Sequence, residues 1–351
     1  MRKIVLTLLG LLVVLFLYLL LTPAPIDPVA LEFPREELGD NGALSTLTVS
    51  FTEYCSGCED IDLSANKRWL YTGHEDGRIL RFDLKDSGPT VVIDSFPSRP
   101  IGMDLVGDTL LYVCVERDGL AVIDLRNGGH RILVSEYDGK AFQLTDDVDL
   151  APDGRIYFTD ASDKYGDEDL QLDLLEGRGN GAFYRYEPRT GKTERLIDDL
   201  HFANGVAVSP DGSFALVNET GAFRTLRYWI SGPKAGSHDI FIEGLSGWPD
   251  GISLGSDGNF YLTLISPRTG LHDFILPRPW TRRLTTKLPR SWWPKPVKGN
   301  QILALSDGGE MLQFWTDLSP EFSGISSVER KGDSLLLGTL NDVGVGFHVL
   351  D

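Results

Sequence analysis

Apolar and polar residues alternate along most of this chain, and the alternation comes in repeated blocks. Each block opens with a small or acidic residue, runs through an alternating segment, turns and continues into a β-rich stretch. The copies begin at Glu59-Asp-Ile-Asp-Leu63, Ile101-Gly-Met-Asp-Leu105, Asp146-Asp-Val-Asp-Leu150, Asn204-Gly-Val-Ala-Val208, Asp250-Gly-Ile-Ser-Leu254 and Gly324-Ile-Ser-Ser-Val328. Period-two alternation is the signature of a strand with one buried face. The blocks start roughly 42, 45, 58, 46 and 74 residues apart, and a base period near 45 suits four strands per repeat. The pattern predicts an all-β chain: a six-bladed β-propeller over residues 43–351, closed by the strand-like segment Ala43 to Thr52.

The first 22 residues break this rhythm. Met-Arg-Lys is followed by an uncharged run, Ile4 to Leu21, about 27 Å long as a helix. That nearly spans a bilayer core. The run exceeds an ordinary signal-peptide core and ends in Tyr18-Leu-Leu-Leu21 rather than a small-residue cleavage site. It reads as an uncleaved transmembrane signal anchor. Arg2 and Lys3 place its N-terminus in the cytoplasm and the rest of the chain on the other side of the membrane. Proline-rich residues 23–42 read as a linker.

Charge removes one function class. With 33 basic and 51 acidic residues the net charge is −18, the wrong sign for gripping nucleic-acid phosphates. One segment departs from the rest. Arg278 to Lys298, within an insertion at 270–298, holds seven basic residues, no acid, and Trp280, Trp292 and Trp293. Tryptophan and basic side chains both favour the bilayer interface. This insertion is expected to touch the membrane or to roof the propeller channel.

The repeat also yields a candidate site. Equivalent positions in successive blades stand at one height around the axis, and the first residue of each block enters the innermost strand. That column reads Glu59, Ile101, Asp146, Asn204, Asp250 and Gly324. Four oxygen donors, three of them carboxylates, repel one another unless a cation sits among them. Oxygen ligands without His or Cys suit Ca²⁺. Cys55 and Cys58, just before Glu59, either close a local disulfide or remain buried thiols. His201 and His272 fall near the channel mouth as candidate bases. Asn218-Glu-Thr220 is a glycosylation sequon lying in a predicted strand.

Several longer strings carry a family resemblance. They are Arg99-Pro-Ile-Gly-Met103, Tyr137-Asp-Gly-Lys-Ala-Phe142, Ile156-Tyr-Phe-Thr-Asp-Ala-Ser162, Phe202-Ala-Asn-Gly-Val-Ala-Val-Ser-Pro-Asp-Gly212, Trp248-Pro-Asp-Gly-Ile252 and Ile265-Ser-Pro-Arg268. From about Glu53 onward the chain resembles the strictosidine synthase-like family. It is most similar to the adipocyte plasma membrane-associated protein branch, whose members also carry an N-terminal anchor, with gluconolactonase/regucalcin proteins and paraoxonases as wider relatives. The resemblance implies a calcium ion held by Glu59, Asp146, Asn204 and Asp250, with Asp146 standing where relatives usually have Asn. It implies calcium-dependent hydrolysis of a small-molecule ester or lactone, of the arylesterase or lactonase type. Asp250 or Asp146 would serve as general base, with Asp147 and Asp160 behind the ring. A calcium-binding propeller without catalysis, acting as an interaction module, is the alternative. Amine–aldehyde condensation fits poorly, because the chain keeps Asn204 and no glutamate obviously fills the role of its base near Ser326; the paraoxonase histidine scheme does not transfer either, because Ile101 occupies the place of the channel histidine.

Overall fold

A computed structural model describes residues 2–85 and 91–350. Residues Arg2–Leu21 form helix α1, long and apolar enough to cross a membrane. Six four-stranded antiparallel sheets follow. Their inner strands are Ile61–Leu63, Pro100–Val106, Thr145–Leu150, Ala203–Val208, Gly247–Leu254 and Ile325–Arg330. Blades 1 to 5 are each four strands in sequence order. Blade 6 takes three strands from the C-terminal end, and Thr48–Ser50 pairs with Val345–Phe347 as its outermost strand. A strand from the N-terminal side thus completes blade 6 and closes the ring, leaving one short outer edge on each blade.

The core is divided among the blade interfaces. Phe214, Leu216, Ile252 and Phe260 fill the layer between blades 4 and 5, and Ile61, Leu70, Leu336 and Val345 fill the layer between blades 6 and 1. Four comparable clusters fill the other interfaces. Alternation therefore buries both faces of every sheet, and polar residues are left to the axis and the rims.

Polar side chains at the axis stitch neighbouring inner strands together. Asp62 accepts the Leu105 N–H at 2.7 Å, Asp104 the Leu150 N–H at 2.8 Å and Asp149 the Val208 N–H at 2.6 Å. The inner strands come so close that side chains are excluded where they cross. A Cβ on Gly205 would lie 2.4 Å from the Asp250 carbonyl oxygen and 2.7 Å from the Ile252 nitrogen. Backbone cannot yield as a side chain can, so Gly205→Ala is expected to lower unfolding free energy by about 1–3 kcal/mol. Urea denaturation checks this, and an unchanged midpoint would show that the blades can separate freely.

Five inner strands share a device the sequence does not display: a bulge beside the column residue, as between Thr145 and Val148 or Ala203 and Val206. It also corrects one expectation. Ile325 pairs with Thr339, and Val328 with Leu337, just as Thr145 pairs with Asp160 and Val148 with Phe158. Ser326, not Gly324, therefore completes the column. Strand alternation has period two, so a slip of two residues leaves the apolar pattern intact and goes unseen.

Candidate active site at the propeller axis

The six column residues are Glu59, Ile101, Asp146, Asn204, Asp250 and Ser326. Ile101, Asp146, Asn204, Asp250 and Ser326 each sit within the bulge of an inner strand, which re-aims the side chain, and Glu59 stands two residues before the unbulged strand Ile61–Leu63. The four expected donors, Glu59, Asp146, Asn204 and Asp250, are brought together at the axis, each between 5% and 9% exposed.

The preceding blade holds the backbone of this ring in place. Ser326 Oγ donates to the Glu59 carbonyl at 2.7 Å, Thr159 Oγ1 to the Asn204 carbonyl at 2.9 Å and Thr263 Oγ1 to the Ser326 carbonyl at 2.6 Å. Asn218 Nδ2 donates to the Asp250 carbonyl at 2.5 Å. Asn218 is fully buried and also accepts from Thr225 Oγ1 at 2.7 Å. Its side chain is engaged inside the fold, which leaves the sequon nothing to offer a glycosyltransferase.

The ring side chains are left to face one another. Burial, followed by the Glu59 and Asp250 charges, holds the Asp146 carboxyl well above the usual range. Burial and then Glu59 do the same to Asp250, although Asn204 hydrogen-bonds it. Burial pushes Glu59 up to about 7 against the pull of Arg99. Arg99 Nη2 stands 3.3 Å from Glu59 Oε2 and donates to the Gly57 and Leu340 carbonyls at 3.0 Å. Among the described residues no three acidic, His or Cys side chains already form a metal cluster. The donor chemistry nevertheless fits a hard divalent cation: three facing carboxylates and an amide oxygen, with one guanidinium at their edge.

The sequence reading gave Arg99 no role, though a signal was present. Two places upstream of the ring the blades read Gly57, Arg99, Leu144, Phe202, Trp248 and Gly324, where Arg99 is the sole charge. Leu144 and Phe202 of the same column help build a ceiling. Ile101, Leu144, Ala161 and Phe202 pack together with Leu170 and Leu174, the last two from the segment around helix α2, Leu170–Glu176. Above lie helices α3, Gly270–Ile275, and α4, Pro279–Thr285.

Below the ring, a cavity of about 440 Å³ runs down the axis past Asp62, Asp104, Asp149, Glu329 and Lys331 to the lower loops at Ala65, Asp108 and Pro210. Lys331 Nζ lies 3.0 Å from Glu329 Oε2.

The remaining candidates sort by position. Asp147 and Asp160 are structural ties, accepting the Val206 N–H at 2.7 Å and the Leu144 N–H at 3.0 Å. Neither histidine lines the cavity. His272 Nδ1 accepts the Thr269 N–H at 2.9 Å and its ring meets Trp248, while His201 packs against Phe33. Cys55 and Cys58 are joined as a disulfide in the loop that leads to Glu59. Trp293 corrects an expectation of membrane contact: it is 7% exposed and packs against Ile26, Tyr165 and Leu172. Trp280 and Trp292 stay exposed, at 48% and 71%.

Comparison with known proteins agrees with this architecture. The solved structure of a gluconolactonase from Xanthomonas campestris superposes with a TM-score of 0.62 at 18% identity, covering 94% of this chain and 99% of that one. Regucalcin from Agrobacterium tumefaciens, a calcium-binding protein, gives 0.58 at 15% identity, covering 83% and 88%. Likeness at these identities concerns the fold alone. The strictosidine synthase family profile matches residues 146–233, a span holding Asp146 and Asn204. Human adipocyte plasma membrane-associated protein is 31% identical over 316 residues, 83% of this chain and 76% of its own. Strictosidine synthase-like 7 of Arabidopsis thaliana is 32% identical over 287 residues, 81% of this chain and 76% of its own. On sequence and fold together, the chain belongs to the strictosidine synthase-like family.

Proposed function

We propose that this chain is a membrane-anchored hydrolase of carboxylic esters or lactones, working with a calcium ion held by Glu59, Asp146, Asn204 and Asp250. The observation that carries the reading is the buried axial ring of three carboxylates and an amide, beside which, among the described residues, only Arg99 supplies positive charge. The fold shared with a gluconolactonase supports it. Calcium bound there would polarise the substrate carbonyl and offset the charge of the developing oxyanion.

The chain's own groups complete the chemistry. Asp250 or Asp146 accepts a proton from the attacking water. Asn204 orients the Asp250 carboxyl through its hydrogen bond. Arg99 offers a guanidinium to the carboxylate that hydrolysis releases. Arg2 and Lys3 at the start of helix α1 support a topology with the propeller on the far side of the membrane from the cytoplasm, and the Cys55–Cys58 disulfide suits that oxidising side.

The apolar ceiling over the ring favours a second reading, a calcium-binding propeller that turns nothing over. Full-length protein assayed on phenyl acetate and a panel of lactones separates the two. Turnover is expected to vanish with chelator and return with calcium but not with magnesium, which is smaller and demands near-octahedral geometry. Bound calcium with no turnover on any of these substrates would leave the binding reading standing.

A further inference from the structure

The anchor, the segment after it and the insertions above the ring form one continuous body. Lys287 Nζ donates to the Leu19 and Thr22 carbonyls, which satisfies groups left unpaired at the end of α1 and complements its dipole. The supposed linker is a strap. Asp27 N–H donates to Glu176 at 2.7 Å, Leu31 N–H to the Leu276 carbonyl at 3.0 Å, and Arg35 pairs with Asp273 at 2.5 Å. Arg282, fully buried, staples the parts together, donating to carbonyls of Val29, Leu175, Glu176 and Leu276. The roof over the ring therefore sits where α1 leaves the bilayer.

Its two faces differ from an ordinary surface. Leu271, Phe274, Trp280 and Trp292 are each about half exposed or more. Around them Arg278, Lys295 and Lys298 supply positive charge, and no acid occurs between residues 278 and 298. Beside the exit of a transmembrane helix, apolar and basic side chains of this kind meet the lipid interface. The underside is the ceiling of Leu144, Phe202, Leu170 and Leu174, directly above the carboxylate ring. The lower route to the ring passes four acids, Asp62, Asp104, Asp149 and Glu329, against Lys331, an excess of negative charge that disfavours the exit of a carboxylate.

We infer that the roof is a lid seated in the same bilayer that holds α1, and that it passes amphiphilic esters or lactones with long apolar tails from the lipid to the ring. That these esters or lactones are hydrolysed at the ring rests on the hydrolase reading; the seating of the lid does not.

The test uses full-length protein in phosphatidylcholine vesicles containing phosphatidylserine. Helix α1 has no tryptophan, so quenching by lipids brominated on their tails reports on the propeller side. Strong quenching is expected, and most of it should disappear in the Trp280→Phe, Trp292→Phe double variant. Absent or unaltered quenching overturns the seating. A long-chain ester bearing a diazirine on its tail, photolysed in the same vesicles, should label the 164–177 and 201–203 segments under the roof. Label confined to α1 overturns delivery. Trp280→Ser with Trp292→Ser should slow hydrolysis of vesicle-borne p-nitrophenyl decanoate about tenfold and leave phenyl acetate hydrolysis unchanged; an equal effect on both also overturns delivery. If neither ester is turned over, the hydrolase reading fails, while quenching and labelling still decide the lid and its cargo.

Discussion

Asp250→Ala is expected to abolish calcium binding and lower ester turnover by at least about 10²–10³-fold. Asp250 is buried, its carboxyl faces Glu59 and Asn204, and its carbonyl is held independently by Asn218. The strand therefore keeps its course when the carboxylate goes, so the loss reports on the ring and not on collapse of the blade. A second consequence separates a ligand from a bystander. With chelator present, the variant should resist urea better than the wild type, because one of three mutually repelling acids has been removed. With calcium present the order should reverse, because only the wild type gains binding energy. Asp146→Asn keeps an oxygen donor and removes a charge, so it should retain calcium at about tenfold weaker affinity. Calorimetric titration decides both variants. Unchanged calcium affinity in Asp250→Ala would falsify the ring assignment.

Much of this was visible in the alternation alone. Six blocks, a closing N-terminal segment and the positions of Glu59, Asp146, Asn204 and Asp250 follow from a repeat whose copies share one register. What stayed hidden has a common physical cause: it depends on what lies across from a residue, not on the residue's own pattern. Ser326 was displaced by two because period-two alternation is blind to an even slip. Asn218 reads as an ordinary strand residue until its amide is seen against the Asp250 carbonyl. The glycine after Asn204 looks like a turn signal, yet it stands in a strand and serves close backbone approach to the next blade. Residues 23–42 looked like an extended linker because prolines interrupt any periodicity. Their partners, Glu176, Asp273 and Leu276, lie 149 to 245 residues away in sequence. Trp293 differs from Trp292 in nothing the sequence records, but one faces the roof's interior and the other faces out.

The lower channel makes a prediction that does not involve the calcium ligands. Asp62, Asp104, Asp149 and Glu329 line the axis below the ring, in a column where blades 4 and 5 carry Ala207 and Ser253. Burial, then repulsion from neighbouring acids, holds Asp104 well above the usual carboxylate range. Burial pushes Asp149 up to about 7 despite the Val208 N–H, and pushes Glu329 up to about 7 despite Lys331. Burial alone would lower the Lys331 ammonium, but Glu329, Asp62 and Asp104 leave it raised, so among the described residues of this lining one cation faces four acids. A carboxyl that titrates higher in the folded than in the unfolded chain holds a proton that unfolding releases. Its contribution is greatest below the unfolded pKa near 4 and is lost as pH rises through the folded value near 7. Stability should therefore fall by on the order of a few kcal/mol between mild acid and neutrality. Asp104→Asn with Asp149→Asn keeps acceptors for the Leu150 and Val208 N–H groups and removes two charges. Relative to wild type, this variant should gain melting temperature steadily from pH 5 to pH 8. A constant difference across that range would mean that these carboxylates are ionised and screened at every pH, and that their ties to the next blade are their whole contribution.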